Sequence, residues 1–373
     1  MEVRQFKTLN NPPALLGFGC MRFPTLKSNA EIDKEETFRL LNYAYENGVT
    51  YYDTAYFYHD GNSESVLGEW IQTIDRSRIQ VVTKSPFWKA NTLEEFDALL
   101  QEQLDNLQVD YLDYYLMHAV NADRFEHLVK IGVLEHLHTL KESGKVKHLG
   151  FSFHDSYDVF EKVLKSYPWD FCQIQLNYMD VNYQAGLQGL HLAQSLDIPC
   201  SIMEPIRGGL LANVPDEINQ KFLAVNPELS NAGWALKWVA NHKNVYVVLS
   251  GMSTYEQVVD NVNTFNHMST VTPDEQEALD FAQTFFNSRM QVKCTNCRYC
   301  MPCPFGVKIP DNFTIYNNAH IYDNKESLST SYFSQADSVR ADQCKRCMQC
   351  VSKCPQNIMI PDELAKVASY FKK

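Results

Sequence analysis

Eight short β-type runs, each followed by a helix-like stretch, fill about the first 265 residues, and that alternation is the strongest constraint on the fold. The runs are "ALLGFG" (14–19), "VTYYD" (49–53), "IQVVTK" (79–84), "YLDYYLMH" (111–118), "VKHLGFS" (146–152), "FCQIQL" (171–176), "IPCSIME" (198–204) and "VYVVLS" (245–250). Between them lie stretches with apolar residues three and four apart, such as "NTLEEFDALLQEQLDNLQ" (91–108) and "VLEHLHTLKESGK" (133–145). Asn91 or Thr92, with Glu94 and Glu95 in the first turn, marks a helix start. Eight strand-then-helix units in this length are the arithmetic of a (β/α)₈ TIM barrel. A doubly wound open sheet would place a Gly-rich turn and a helix directly after its first strand, and "GFGCMRFP" leads into no helix. The expected fold class is therefore α/β, with a barrel over residues 1–288 and a separate C-terminal domain over 289–373.

In such a barrel, chemistry sits where strands end at the carboxyl face. The second run ends in Asp53, with Tyr58 five residues on; the third ends in Lys84 and the fourth in His118. A phenol, with an ordinary pKa near ~10, is a poor acid at neutral pH. An ammonium beside its oxygen stabilises the phenolate, and a carboxylate can hold that ammonium in place. A histidine next to the tyrosine can orient a carbonyl or share in proton transfer. Asp53, Tyr58, Lys84 and His118 together read as a catalytic set that protonates a carbonyl oxygen while hydride reaches its carbon. Any one of the four alone would be an ordinary structural residue; all four, in this order, point to an enzyme.

The chain here resembles the aldo-keto reductases, through "YDTAYFY" (52–58), "VTK" (82–84), "LMH" (116–118), "GFS" (150–152), "QIQLNY" (173–178) and "EPIRGG" (204–209). The resemblance covers about residues 1–290. It implies Tyr58 as proton donor, supported by Asp53, Lys84 and His118, and NAD(P)H as cofactor. It further implies that Ser152 and Gln173 hydrogen-bond the nicotinamide amide, that Asn177 lines the same face, and that Met203 and Ser250 complete the pocket. Arg207, Gly208 and Gly209 are expected to hold cofactor phosphate, because glycines let the backbone approach closely. The departures bear on the same pocket. His59 replaces the usual Gly after the tyrosine, Phe153 stands where many members have an amide, and Met203 stands where an aromatic would stack on nicotinamide. "SGMSTYEQVVDN" (250–261) has no Lys or Arg to grip a 2′-phosphate.

Eight of the eleven cysteines lie in the last eighty residues. Cys344, Cys347, Cys350 and Cys354, followed by Pro355, have the C-x₂-C-x₂-C-x₃-C-P spacing of bacterial ferredoxins, in which the fourth cysteine serves the other cluster. Cys294, Cys297, Cys300 and Cys303, followed by Pro304, differ by one residue. The expected assignment is two 4Fe–4S clusters, one on Cys294, Cys297, Cys300 and Cys354 and the other on Cys303, Cys344, Cys347 and Cys350. A zinc ribbon needs only two C-x₂-C units per ion, so the third cysteine and the Cys-Pro are surplus to that reading. The intervening 40 residues have helical character, giving a mainly helical dicluster ferredoxin-like domain. Cys20, Cys172 and Cys200 read as inert packing residues.

A formal net charge of −12 excludes a nucleic-acid partner, and no run is long and apolar enough to span a membrane. "MEVRQFKTLN" has no signal-like apolar core, so the expected location is cytoplasmic, where clustered cysteines bind metal rather than pair. Clusters pass single electrons, whereas a nicotinamide moves two as hydride; a flavin can convert between them. Three readings follow. The first is an aldo-keto-reductase-type oxidoreductase acting on a small carbonyl or alcohol, wired through its clusters to a one-electron carrier protein. The second is an ordinary NAD(P)H-dependent reductase whose clusters are structural or redox-sensing. The third is a non-enzymatic electron carrier on a retired barrel.

Overall fold

The computed structural model describes residues 1–26 and 31–372. Eight strands close into an all-parallel barrel in chain order, and β1 pairs with both β2 and β8. They are β1 (Leu16–Gly19), β2 (Tyr51–Asp53), β3 (Gln80–Ser85), β4 (Leu112–Val120), β5 (Val146–Phe153), β6 (Phe171–Gln175), β7 (Cys200–Met203) and β8 (Val245–Ser250). Each overlaps an expected run. The ends differ: β3 continues one residue past Lys84, and β4 continues past His118 through a register irregularity between Met117 and Val120.

Every residue of β4 and β8 is buried, as expected where helices cover the outside of a parallel sheet and side chains fill its inside. Inside the barrel, Tyr51, Tyr114, Phe171 and Tyr246 form an aromatic layer with Leu9, the Tyr51–Tyr114 and Tyr114–Phe171 ring centres both lying 5.2 Å apart. Gly150 makes room for that layer, since a Cβ there would stand 2.7 Å from the Phe171 ring. Outside, the helix Leu93–Leu107 buries Phe96, Leu100, Leu104 and Leu107, the spacing that its sequence shows. Its cap is Thr92, whose hydroxyl accepts from the Glu95 N–H at 3.3 Å; Asn91 instead donates its own N–H to the Glu95 carboxylate at 2.7 Å. The second expected helix runs Val133–Glu142.

The chain divides into two compact units, 1–206 with 232–271, and 207–231 with 272–373. The sequence-based boundary at 288/289 differs, because 207–231 and the helix Pro273–Arg289 count with the second unit. That unit is built as a repeat. Each Cys-Pro is followed, six residues after the cysteine, by Ile-Pro-Asp opening a helix: Ile309–Ile321 after Cys303 and Ile360–Tyr370 after Cys354. Proline is suited to the first turn, where its missing N–H has no intrahelical partner to lose. In both runs the residues two and four after the first cysteine have left-handed backbone: Asn296 and Arg298, then Arg346 and Met348. Arg298 pairs with Asp311 at 2.9 Å, and Arg346 pairs with Asp362 in the other half. Phe313, Ile309, Ile360, Leu364, Val367 and Phe371 form the core of this unit.

Candidate functional site

The strand ends bring three of the four expected catalytic side chains into direct contact. Lys84 Nζ donates to Asp53 Oδ1 at 2.5 Å, to the Thr54 carbonyl at 2.8 Å and to the Tyr58 hydroxyl at 3.3 Å. The ion pair is closed off from water, with side chains 1% and 4% exposed. Burial pushes the Asp53 carboxyl up from the ordinary value, and the adjacent Lys84 ammonium draws it back. Tyr58 is 9% exposed, and its hydroxyl is buried where it accepts the Lys84 hydrogen bond. His118 meets it edge-on, ring centres 6.2 Å apart at 85°. Burial, with Lys84 and Arg124 adding to it, holds His118 well below the usual imidazole range, so the ring is neutral at pH 7.

A buried polar network fixes Lys84 from behind. Thr83 and Gln103 both donate to the Glu64 carboxylate, at 2.5 and 2.6 Å, and Gln103 also donates to the Lys84 carbonyl at 3.1 Å. Sequence reasoning missed this network, and it missed Trp88. The Trp88 ring lies 5.7 Å from His118, carries the Arg124 guanidinium 3.7 Å over its face and stacks on Phe57 at 5.8 Å. The available signal was "PFWK" directly after the third strand end. His59 serves the structure of the loop after β1 and pins it: its Nε2 accepts the Phe23 N–H at 3.1 Å, and its ring stacks on Phe23 at 5.8 Å. Phe153 is fully buried against Phe160, at 5.2 Å, and offers a cofactor nothing polar.

The residues expected around nicotinamide lie at the ends of β5, β6, β7 and β8. Ser152 accepts the Ala119 N–H at 2.7 Å, which leaves its hydroxyl proton to donate. Gln173 accepts from Ser201 at 3.3 Å and turns its amide nitrogen toward Met203 Sδ at 3.7 Å. Ser250 accepts from Asn261 at 2.8 Å. Asn177 is engaged with its own loop: it accepts the Met179 and Asp180 N–H groups at 3.0 and 2.9 Å and donates to the Glu204 carbonyl at 3.1 Å. Arg207, Gly208 and Gly209 belong to the second unit and line a cavity there.

The eight C-terminal cysteines surround two small cavities in that unit. Cys294, Cys297, Cys300 and Cys354 line one, with Ile309, Phe313 and Ile358. Cys303, Cys344, Cys347 and Cys350 line the other, which Cys300 also borders. Each cavity thus receives its fourth thiol from the other run, the crossing expected of a dicluster arrangement. Each lining has at least four cysteines and no His, Asp or Glu, an all-thiol donor set of the kind that holds an iron–sulfur cluster. The buried cysteines of the first unit, Cys172 and Cys200, face each other across β6 and β7 with sulfurs 3.4 Å apart.

Residues 15–282 match the family model described as "Aldo/keto reductase family", and residues 293–359 match one described as "4Fe-4S dicluster domain". An L-galactose dehydrogenase of Arabidopsis thaliana is 24% identical over 304 residues, covering 74% of this chain and 92% of that protein. A methylglyoxal reductase of Escherichia coli (strain K12) is 30% identical over 214 residues, covering 54% of this chain and 70% of that protein. An aldo-keto reductase from Bacillus halodurans, in its holo form, superposes with a TM-score of 0.64 at 23% identity, over 76% of this chain and 96% of that one.

Proposed function

The chain belongs to the aldo/keto reductase family and carries a C-terminal 4Fe-4S dicluster domain, and from that premise we propose that it reduces the carbonyl of a small aldehyde or ketone, or oxidises the corresponding alcohol, with Tyr58 as proton donor. The observation that carries this reading is the buried chain Asp53–Lys84–Tyr58. A bound NAD(P)H supplies the hydride to the carbonyl carbon. Tyr58 gives its proton to the carbonyl oxygen, and the Lys84 ammonium 3.3 Å away stabilises the phenolate left behind. Asp53 and the Thr54 carbonyl keep that ammonium aimed. The neutral His118 can donate to the same oxygen without adding charge. Ser152 and Gln173 present a hydroxyl and an amide for the nicotinamide carboxamide, and Met203 packs beside them. Trp88 and Phe57 give the mouth of the pocket an aromatic wall. The relative named for methylglyoxal makes small oxoaldehydes the first substrates to test.

Removing Lys84 tests the support. Reduction needs the protonated phenol, so activity falls as pH rises through its pKa; without the cation that alkaline limb should move to higher pH. Lys84→Met alone would leave Asp53 as a buried unpaired carboxylate, at a cost of about 3–5 kcal/mol. The comparison is therefore Asp53→Asn/Lys84→Met, which removes both charges of the buried pair, against the unsubstituted protein. Identical pH profiles in the two would mean that Lys84 only fills the barrel floor.

A second observation extends the reading to electron transfer. Cys347 is exposed, and Lys345, Arg346 and Lys353 line its cavity in a chain of net charge −12. Two 4Fe–4S clusters on the eight cysteines would carry single electrons, supplied one at a time by a bound flavin that would take the hydride pair from NAD(P)H, and Cys347 would face an acidic one-electron carrier. Anaerobic assays with NADPH or NADH and methylglyoxal, beside assays with a one-electron dye, test both parts. In a relay, Cys347→Ser should remove dye reduction and leave carbonyl reduction in place. Parallel loss of the two activities would make the clusters structural.

A further inference from the structure

We propose that Arg124 is a positioning residue for the reaction: by holding the Ala119 carbonyl, it keeps the end of β4 in a left-handed turn that sets His118 and Ser152 in place together. This rests on the preceding reading, in which His118 faces the substrate carbonyl and Ser152 the nicotinamide carboxamide.

The strain lies in the strand itself. Ala119 has a φ of 48° and, among the described residues, is the one non-glycine residue inside a barrel strand on the left-handed side. Between Met117 and Val120 β4 advances three residues while β5 advances two, from Phe151 to Phe153, so β4 carries one extra residue there. A bulge of this kind re-aims the side chain beside it, and here that side chain is His118. An alanine in the left-handed region is disfavoured on the order of tenfold, because its Cβ crowds the following carbonyl. Such a residue persists only where its surroundings hold it.

Both backbone groups of Ala119 are held. Its N–H donates to Ser152 Oγ at 2.7 Å, and its carbonyl accepts from Arg124 Nη1 at 3.0 Å. Ala119 is 5% exposed, so breaking either bond leaves a buried backbone group unpaired. The Arg124 donor is itself fixed. Arg124 stands in the first turn of the helix Ala122–Lys130, where Asn121 Oδ1 accepts its N–H at 2.9 Å and Asp155 Oδ2 accepts the Ala122 N–H at 2.9 Å. Its guanidinium lies 3.7 Å over the Trp88 ring, which in turn lies 5.7 Å from His118. The Ala119 N–H meanwhile fixes the hydroxyl proposed for the carboxamide. One clamp on one carbonyl therefore serves the substrate side and the cofactor side at once.

Releasing that carbonyl lets Ala119 relax toward an ordinary φ. Arg124→Met should then lower kcat about tenfold. It should also weaken binding of the dinucleotide, while the nicotinamide-free fragment (2′-phospho-ADP-ribose for NADPH, ADP-ribose for NADH) should bind as before. Glycine accepts a left-handed φ without the Cβ penalty, so in an Ala119→Gly background the same Arg124→Met change should cost no more than about threefold.

The test is steady-state kinetics with methylglyoxal, beside calorimetric titration with the dinucleotide and with its fragment, on the unsubstituted protein, each single variant and the double. Absence of NAD(P)H-dependent carbonyl reduction in the unsubstituted protein overturns the preceding reading and this proposal with it. With that activity present, the expected result is a loss in Arg124→Met that shrinks in the Ala119→Gly background, with the affinity for the fragment unmoved. A loss of equal size in both backgrounds would assign the effect of Arg124 to its charge near His118 or to its contact with Trp88, and would overturn the proposal. Full turnover in Arg124→Met would overturn it too. So would an equal fall in affinity for the dinucleotide and the fragment, which a general loosening of the fold produces.

Discussion

Tyr58→Phe should lower the turnover of carbonyl reduction by at least ~10²-fold, the usual scale for losing a general acid. The change deletes one oxygen and little else. The phenyl ring keeps its edge-on contact with His118 at 6.2 Å and its place 4.9 Å beneath the Lys84 ammonium. Lys84 keeps Asp53 and the Thr54 carbonyl, so no buried charge loses its counterpart. Dinucleotide binding should be unchanged, because the residues proposed to hold the nicotinamide lie on other strands. The loss should therefore appear in kcat with KM little altered. Steady-state kinetics with methylglyoxal and a fluorescence titration with NADPH separate the two effects. Turnover near that of the unsubstituted protein would mean that the proton comes from water or His118, and the role given to Tyr58 would fail.

The strands were legible because a parallel barrel buries both faces of each strand, which leaves near-continuous apolar runs. Their ends were less so. Ser85 and Val120 extend strands whose last expected residues are Lys84 and His118, and pairing rather than composition decides such ends. Asp53, Lys84 and His118 could be read from position, since strand ends meet at one rim. The Glu64–Thr83–Gln103 network could not, because Gln103 comes from mid-helix and only the packed fold brings it to β3. Asn177 shows the limit from the other side: its identity suits a cofactor amide, yet its polar atoms are committed to Met179, Asp180 and Glu204. The grouping of 207–231 with the second unit is a matter of tertiary contact and left no mark in composition. The repeat of Cys-Pro and Ile-Pro-Asp six residues apart was open to reading.

Removing iron should unfold residues 291–360 and leave the barrel standing. Residues 293–308 and 335–359, which contain all eight cysteines, have almost no regular secondary structure. Their order rests on a small core of Ile309, Phe313, Ile360, Leu364 and Val367, against which Cys294, Cys303, Cys344, Cys350 and Cys354 pack. Metal binding in small thiolate domains supplies on the order of 10 kcal/mol of folding free energy, more than such a core can replace. Intact anaerobic protein should contain about eight iron and eight sulfide per chain, four of each per cluster. After chelation, proteolysis should cut within 293–359. All five tryptophans, Trp70, Trp88, Trp169, Trp234 and Trp238, lie in the first unit, so their emission reports the barrel alone and should hold its position. The barrel's own interior layer of Tyr51, Tyr114, Phe171 and Tyr246 contains no metal-dependent contact. Protease resistance of 293–359 in iron-free protein would show that the helices suffice. A tryptophan shift on chelation would show instead that the two units fold as one, and stoichiometric zinc without iron would end the redox reading.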